Sequence, residues 1–104
     1  MSKADAAMSA RERAKLAERL RARDAKVVIA ALAEVSEKGV RELVGAVAAQ
    51  LSEERVKKAP EVVIEALKTL GALGAEAELA RAERELPASY GGWVAVARQR
   101  LPTR

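Results

Sequence analysis

Cysteine, histidine, phenylalanine and asparagine are missing from all 104 residues. Without Cys there are no disulfides and no thiolate chemistry. Without His, imidazole general-base catalysis, Ser-His triads and the commonest transition-metal sites are lost. The aromatic residues are Tyr90 and Trp93 alone, so a core must be assembled from Leu, Val, Ile and Ala. Small side chains of this kind let helix axes approach to the short end of the roughly 8–10 Å range. No apolar run approaches the roughly 20 residues that span a bilayer. The opening residues 1–8 also lack the basic-then-apolar order of a secretion signal. These features predict a non-catalytic chain, cytoplasmic or part of a soluble assembly, with no cofactor, no metal and no membrane partner.

What is present is half hydrophobic and one third charged, in a length that fits one domain able to bury a core without disulfides or metal. The charges are unevenly placed. Eight Lys or Arg stand against four Asp or Glu in residues 1–26, eight against eleven in 27–86, and three against none in 87–104. Basic ends around an acidic middle favour docking on acidic partners, or contact between copies of the chain.

The strongest internal signal is duplication. Val27-Val28-Ile29-x-Ala31-Leu32, with Val35 and Gly39, returns 35 residues later as Val62-Val63-Ile64-x-Ala66-Leu67, with Leu70 and Gly74. Aligning residues 24–51 with 59–86 adds the identity Leu51/Leu86 and the apolar pairs Val44/Leu79 and Val47/Ala82. A period of this size marks a helix-turn-helix unit used twice, its apolar face buried against its copy.

Local signals place the elements. Residues 1–8 are small, polar and aperiodic and read as a mobile tail; residues 9–104 read as one helical domain. Ser9-Ala10-Arg11-Glu12 has capping-box spacing. The helix it starts should gather Ala10, Ala14, Leu16, Ala17 and Leu20 on one stripe, with Arg11, Lys15 and Arg19 opposite. Asp24 suits the cap of a second helix. Val27 to Val35 is apolar nearly all round, as in a helix buried on more than one side. Its β-branched start lies among Ala, Leu, Glu and Lys without alternation, which favours helix over strand. Gly39 should end that helix in the left-handed conformation. Val40, Leu43, Val44, Val47 and Leu51 then predict an amphipathic helix, and Ser52 caps a short turn through Lys58. Pro60 and Glu61 open the second unit. Gly71 and Gly74 should bracket a turn, followed by a helix over residues 75–86 with Glu76, Glu78, Glu83 and Glu85 outward. Pro87 stops it, Ser89 is placed to cap, Gly91-Gly92 forms a flexible joint, and Trp93, Val94, Val96, Ala97 and Leu101 supply the apolar side of a last helix.

The stretch Pro60-Glu61-Val62-Val63-Ile64-Glu65-Ala66-Leu67-Lys68-Thr69-Leu70-Gly71-Ala72-Leu73-Gly74 resembles the second half of a HEAT-type repeat leading into the next. That resemblance implies helical hairpins stacked into a curved solenoid whose concave side holds proteins or nucleic acid. Two units are fewer than the roughly three that an independent solenoid normally needs. The fold class is therefore all-α, two related hairpins with flanking N- and C-terminal helices, as a short α-solenoid or a five- or six-helix bundle.

Two surfaces carry functional promise. Arg11, Lys15, Arg19, Arg23 and Lys26 form a basic surface able to track a phosphate backbone. Glu12, Glu18 and Asp24 are interleaved with it at pairing distance, and no aromatic accompanies it for base stacking. Tyr90 and Trp93, with Arg98 and Arg100 beyond them, combine the residue types that dominate interface hot spots. A core plug is the competing role for the aromatics. The glutamates read as a solvated face, and Ser9, Ser52 and Ser89 as caps. The expectation is a protein-protein interaction or assembly module, self-associating or part of a larger particle such as a virion connector. A nucleic-acid-binding accessory role stands as the alternative.

Overall fold

The computed structural model describes residues 9–102. The expected tail at residues 1–8 lies outside the described residues. Among those described, the chain forms seven α-helices and no strand. They are α1 (Ala10–Leu20), α2 (Ala25–Lys38), α3 (Val44–Ala48), α4 (Glu53–Lys58), α5 (Pro60–Ala72), α6 (Glu76–Glu85) and α7 (Gly91–Gln99). Single 3-10 turns at Arg41–Leu43 and Ala88–Tyr90 lead into α3 and α7. No helix among these residues is long and apolar enough to cross a membrane.

Helix ends follow from side-chain chemistry. At α1 the Ser9 hydroxyl accepts from the Glu12 amide and the Glu12 carboxylate accepts from the Ser9 amide, both at 3.1 Å. Asp24 accepts from the Lys26 amide at 2.9 Å and Ser52 from the Arg55 amide at 3.1 Å, capping α2 and α4. Pro60 occupies the first position of α5, where no amide is needed.

The turns that close α2 and α5 match across the 35-residue offset. Gly39 has φ 63° and Gly74 φ 74°. The Val40 amide returns to the Val35 carbonyl at 3.2 Å and the Ala75 amide to the Leu70 carbonyl at 3.0 Å, the six-to-one bond of a Schellman turn. Burial matches as well: Val28, Ala31, Leu32 and Val35 in one unit, and Val63, Ala66, Leu67 and Leu70 in the other, are sealed from solvent.

The helices lie in two layers. Helix α5 packs against α2 on one side and α7 on the other, while α1, α3 and α6 cover a common face of that trio. The early residues Ala25, Ala59 and Glu61 share one cleft, and the late residues Ser36, Lys68 and Arg100 share another. Lys68 meets Trp93 and Gly71 meets Ala97 in the same order along α5 and α7, so α2, α5 and α7 run in the same direction. The slab measures 44 × 35 × 17 Å, two helices thick. Thr69 is buried at the α2–α5 seam, its hydroxyl 2.9 Å from the Glu65 carbonyl and 3.3 Å from that of Leu32. Position in the layer sets burial where sequence is equal. Val62 in the central helix is fully buried, whereas its repeat partner Val27, in the outer helix α2, is 37% exposed.

Several local expectations are corrected. The helix expected from Val40 to Leu51 is reduced to a 3-10 turn and the five residues of α3. Gly45 weakens that run, since Gly costs about 1 kcal/mol relative to Ala inside a helix. Gln50 turns inward instead of prolonging it, donating to the Leu20 carbonyl at 2.7 Å. Ala10 and Ala14 are exposed, so α1 buries chiefly Leu16 and Leu20. Gly71 does not bracket a turn. It sits inside α5, where α7 approaches so closely that a Cβ would overlap the Ala97 carbonyl.

Gly71 and Gly45 thus make opposite predictions for the same substitution. Gly71→Ala presses a methyl on rigid backbone and should lower unfolding free energy by about 1–3 kcal/mol. Gly45→Ala meets open space and should raise it by about 0.5–1 kcal/mol. Urea denaturation of both variants tests the seam, and a Gly71→Ala protein as stable as wild type would refute it.

Candidate functional site

The face of α2, α5 and α7 turned away from the covering layer is open. Ala33, Ser36 and Glu37 of α2, Glu65 and Lys68 of α5 and Arg100 beyond α7 line a shallow groove there of about 460 Å³. Trp93 and Val96 precede Arg100 at spacings of three and four on the same helical stripe. They are 38% and 36% exposed, whereas Val94 and Ala97 on the inner stripe are buried. The Lys68 ammonium lies 5.6 Å from the Trp93 ring centroid and 3.4 Å from the Glu65 carboxylate. It holds the indole beside the groove by a contact worth about 0.5–1 kcal/mol at exposed sites.

This arrangement differs from the expected last helix. Gly91 and Gly92 begin α7 instead of forming a joint, and Ser89 lies within a 3-10 turn and caps nothing. Trp93 and Val96 were expected on the inner side and face solvent. The two aromatics are parted: Tyr90 is 8% exposed and belongs to the core. Arg98 is drawn to Glu83 at 2.8 Å, tying α7 to α6. Of the four residues proposed around the aromatics, Trp93 and Arg100 share the open face.

The basic surface is also divided. Arg11, Lys15, Arg23 and Lys26 are exposed. Arg19 instead reaches Glu34 on α2 at 2.9 Å, and Lys38 approaches the same carboxylate at 3.4 Å. The Arg19 hydrogen bond, with Lys38 beside it, holds the Glu34 carboxyl below its ordinary 4.5 against the opposing effect of desolvation. The Glu12 carboxyl is lowered too, first by the Ser9 amide and then by its hydroxyl. The Glu12 shift belongs to the cap of α1 and the Glu34 shift to the contact between α1 and α2.

Three carbonyls at and just past the end of α1 are served from far along the chain. Gln50 donates to Leu20, and Arg55 donates to Ala22 at 2.7 Å and Arg23 at 3.4 Å. Sequence reasoning missed this use of Gln50 and Arg55. The available signal was a lone Gln at the end of an apolar run, and an Arg in a short helix whose register no pattern fixed. Arg55 thereby joins Arg21, Arg23 and Lys58 in a cleft of about 620 Å³ where α1, α2, α4 and α5 meet. Among the described residues no group of three or more carboxylates is placed to hold a metal.

The Glu34 cluster makes a pH prediction. A carboxylate with a lowered folded pKa contributes stability that is complete above its unfolded value of 4.5 and is lost as pH falls through the folded one. Both partners are about one third exposed, so the contribution belongs in the ~0.2–1 kcal/mol range of surface pairs. Replacing Glu34→Gln should cost more stability near about pH 6 than near about pH 3. Thermal unfolding at the two pH values reads this difference, and an equal cost at both would contradict it.

Comparison of the chain with protein-family models, curated proteins and solved structures finds no match.

Proposed function

We propose that this protein is a non-catalytic docking module, working as a structural component of a larger assembly, that holds a protein segment on the open face of α2, α5 and α7. The observation that carries the reading is the placement of Trp93. In a chain with so little aromatic surface, its one indole is spent outside the core, braced by Lys68 beside a groove. Trp and Arg are the residue types richest in interface binding energy, and Arg100 stands in the same groove. The partner segment would bring an apolar side chain to Trp93 and Val96 and a carboxylate to Arg100. Parallel helices with matching glycine turns support the solenoid-like reading, in which such a face is the concave one. The same face serves a partner protein or a second copy of the chain.

Trp93→Ala should leave the helical circular dichroism unchanged, because the side chain is not part of the core, and should weaken partner capture or self-association by about 30-fold, the effect of a hot-spot loss of about 2 kcal/mol. As the only Trp, residue 93 also reports directly. Its emission should shift to the blue when a partner binds or when the protein is concentrated into its associated state. Wild-type and Trp93→Ala proteins that capture the same partners with equal affinity would remove the proposal.

A further inference from the structure

A cleft of about 620 Å³ lies at the corner where α1 gives way to α2 and α4 gives way to α5, away from the Trp93 groove. Four cationic side chains line it, Arg21, Arg23, Arg55 and Lys58, with the carboxylates of Glu54 and Glu61. These charges do not simply cancel. Lys58 is matched by Glu54 at 3.7 Å. Glu61 occupies the first turn of α5, where the helix itself favours a negative charge. Arg55 is fixed by donating to the carbonyls of Ala22 and Arg23, neutral acceptors that orient its guanidinium without balancing its charge. Among the described residues, Arg21, Arg23 and Arg55 enter no ion pair with a carboxylate. Anchoring on the backbone between Arg21 and Arg23 brings the third guanidinium to the other two. The result is a concave site with three uncompensated arginines, one of them preorganised.

We infer that this corner cleft binds phosphate groups. Guanidinium forks match phosphate oxygens in pairs, and a volume of about 620 Å³ accommodates several linked phosphates. The inference is independent of the docking face. It also changes which cations matter. Arg19 is committed to Glu34, and Arg11 and Lys15 lie outside the cleft lining. The working set is Arg21 and Arg23 joined by Arg55, which sequence places more than thirty residues away.

The test measures binding of a fluorescent duplex DNA and of inorganic tripolyphosphate to the full chain, comparing Arg21→Gln/Arg23→Gln with Arg11→Gln/Lys15→Gln. All four residues are exposed, and circular dichroism verifies that both variants fold. If backbone phosphates are the ligand, the first pair weakens duplex binding at least tenfold at about 50 mM salt and reduces the slope of affinity against salt by about 2, while the second pair changes affinity less than about threefold. If free phosphates are the ligand, tripolyphosphate alone binds, moving the amide resonances of residues 21–25 and 52–61 in wild type and not in the first variant. Absence of binding by both probes at about 50 mM salt, equal weakening by the two variants, or resonance shifts confined to other residues would each overturn the inference.

Discussion

The packing of α5 against its neighbours is the contact from which the rest of the architecture is hung. Val62, Val63, Ala66, Leu67 and Leu70 are all fully buried, because this helix meets α2, α3, α4, α6 and α7. Burial of each Val or Leu is worth about 1.5–3 kcal/mol. The absence of bulky aromatics makes the close approach possible, and Gly71 takes it furthest, where the α7 backbone replaces a side chain. An open face with Trp93 on it and a corner lined by arginines both follow from this arrangement, since α2 and α7 are set by their contacts with α5.

Much of the fold was legible because the sequence uses unambiguous local chemistry. The capping box at Ser9, the caps at Asp24 and Ser52, Pro60 at a helix start and the left-handed Gly39 each have one economical explanation, and the structure uses it. Periodicity was less reliable where burial depended on distant neighbours. The apolar run from Val27 reads as buried all round, yet α2 lies at the edge of its layer and leaves Val27 in solvent. Gly71 gave the same sequence signal as Gly74 but answers to α7, a helix twenty residues further on, and no local rule separates a packing glycine from a turn glycine.

The candidate sites were legible as residue types and not as groupings. Tyr90 and Trp93 are three apart at the start of α7, and the short 3-10 turn before it sends one into the core and the other to solvent. Arg19 looked like its neighbours Arg11 and Lys15 until Glu34 appeared beside it. Arg55 could not be placed from its own neighbourhood, because its value comes from two carbonyls more than thirty residues earlier. Ion pairs and carbonyl acceptors between distant segments decide which charges remain available, and composition is blind to both.

The service that Gln50 and Arg55 perform for the end of α1 bears on how the chain matures. During synthesis the first helix emerges with Leu20, Ala22 and Arg23 carbonyls that only water can satisfy, and their permanent donors arrive some thirty residues later. Helix α1 can coil early and pair with α2 through Arg19 and Glu34, but the carbonyls at its end gain protein donors only once residues 50 and 55 have been made.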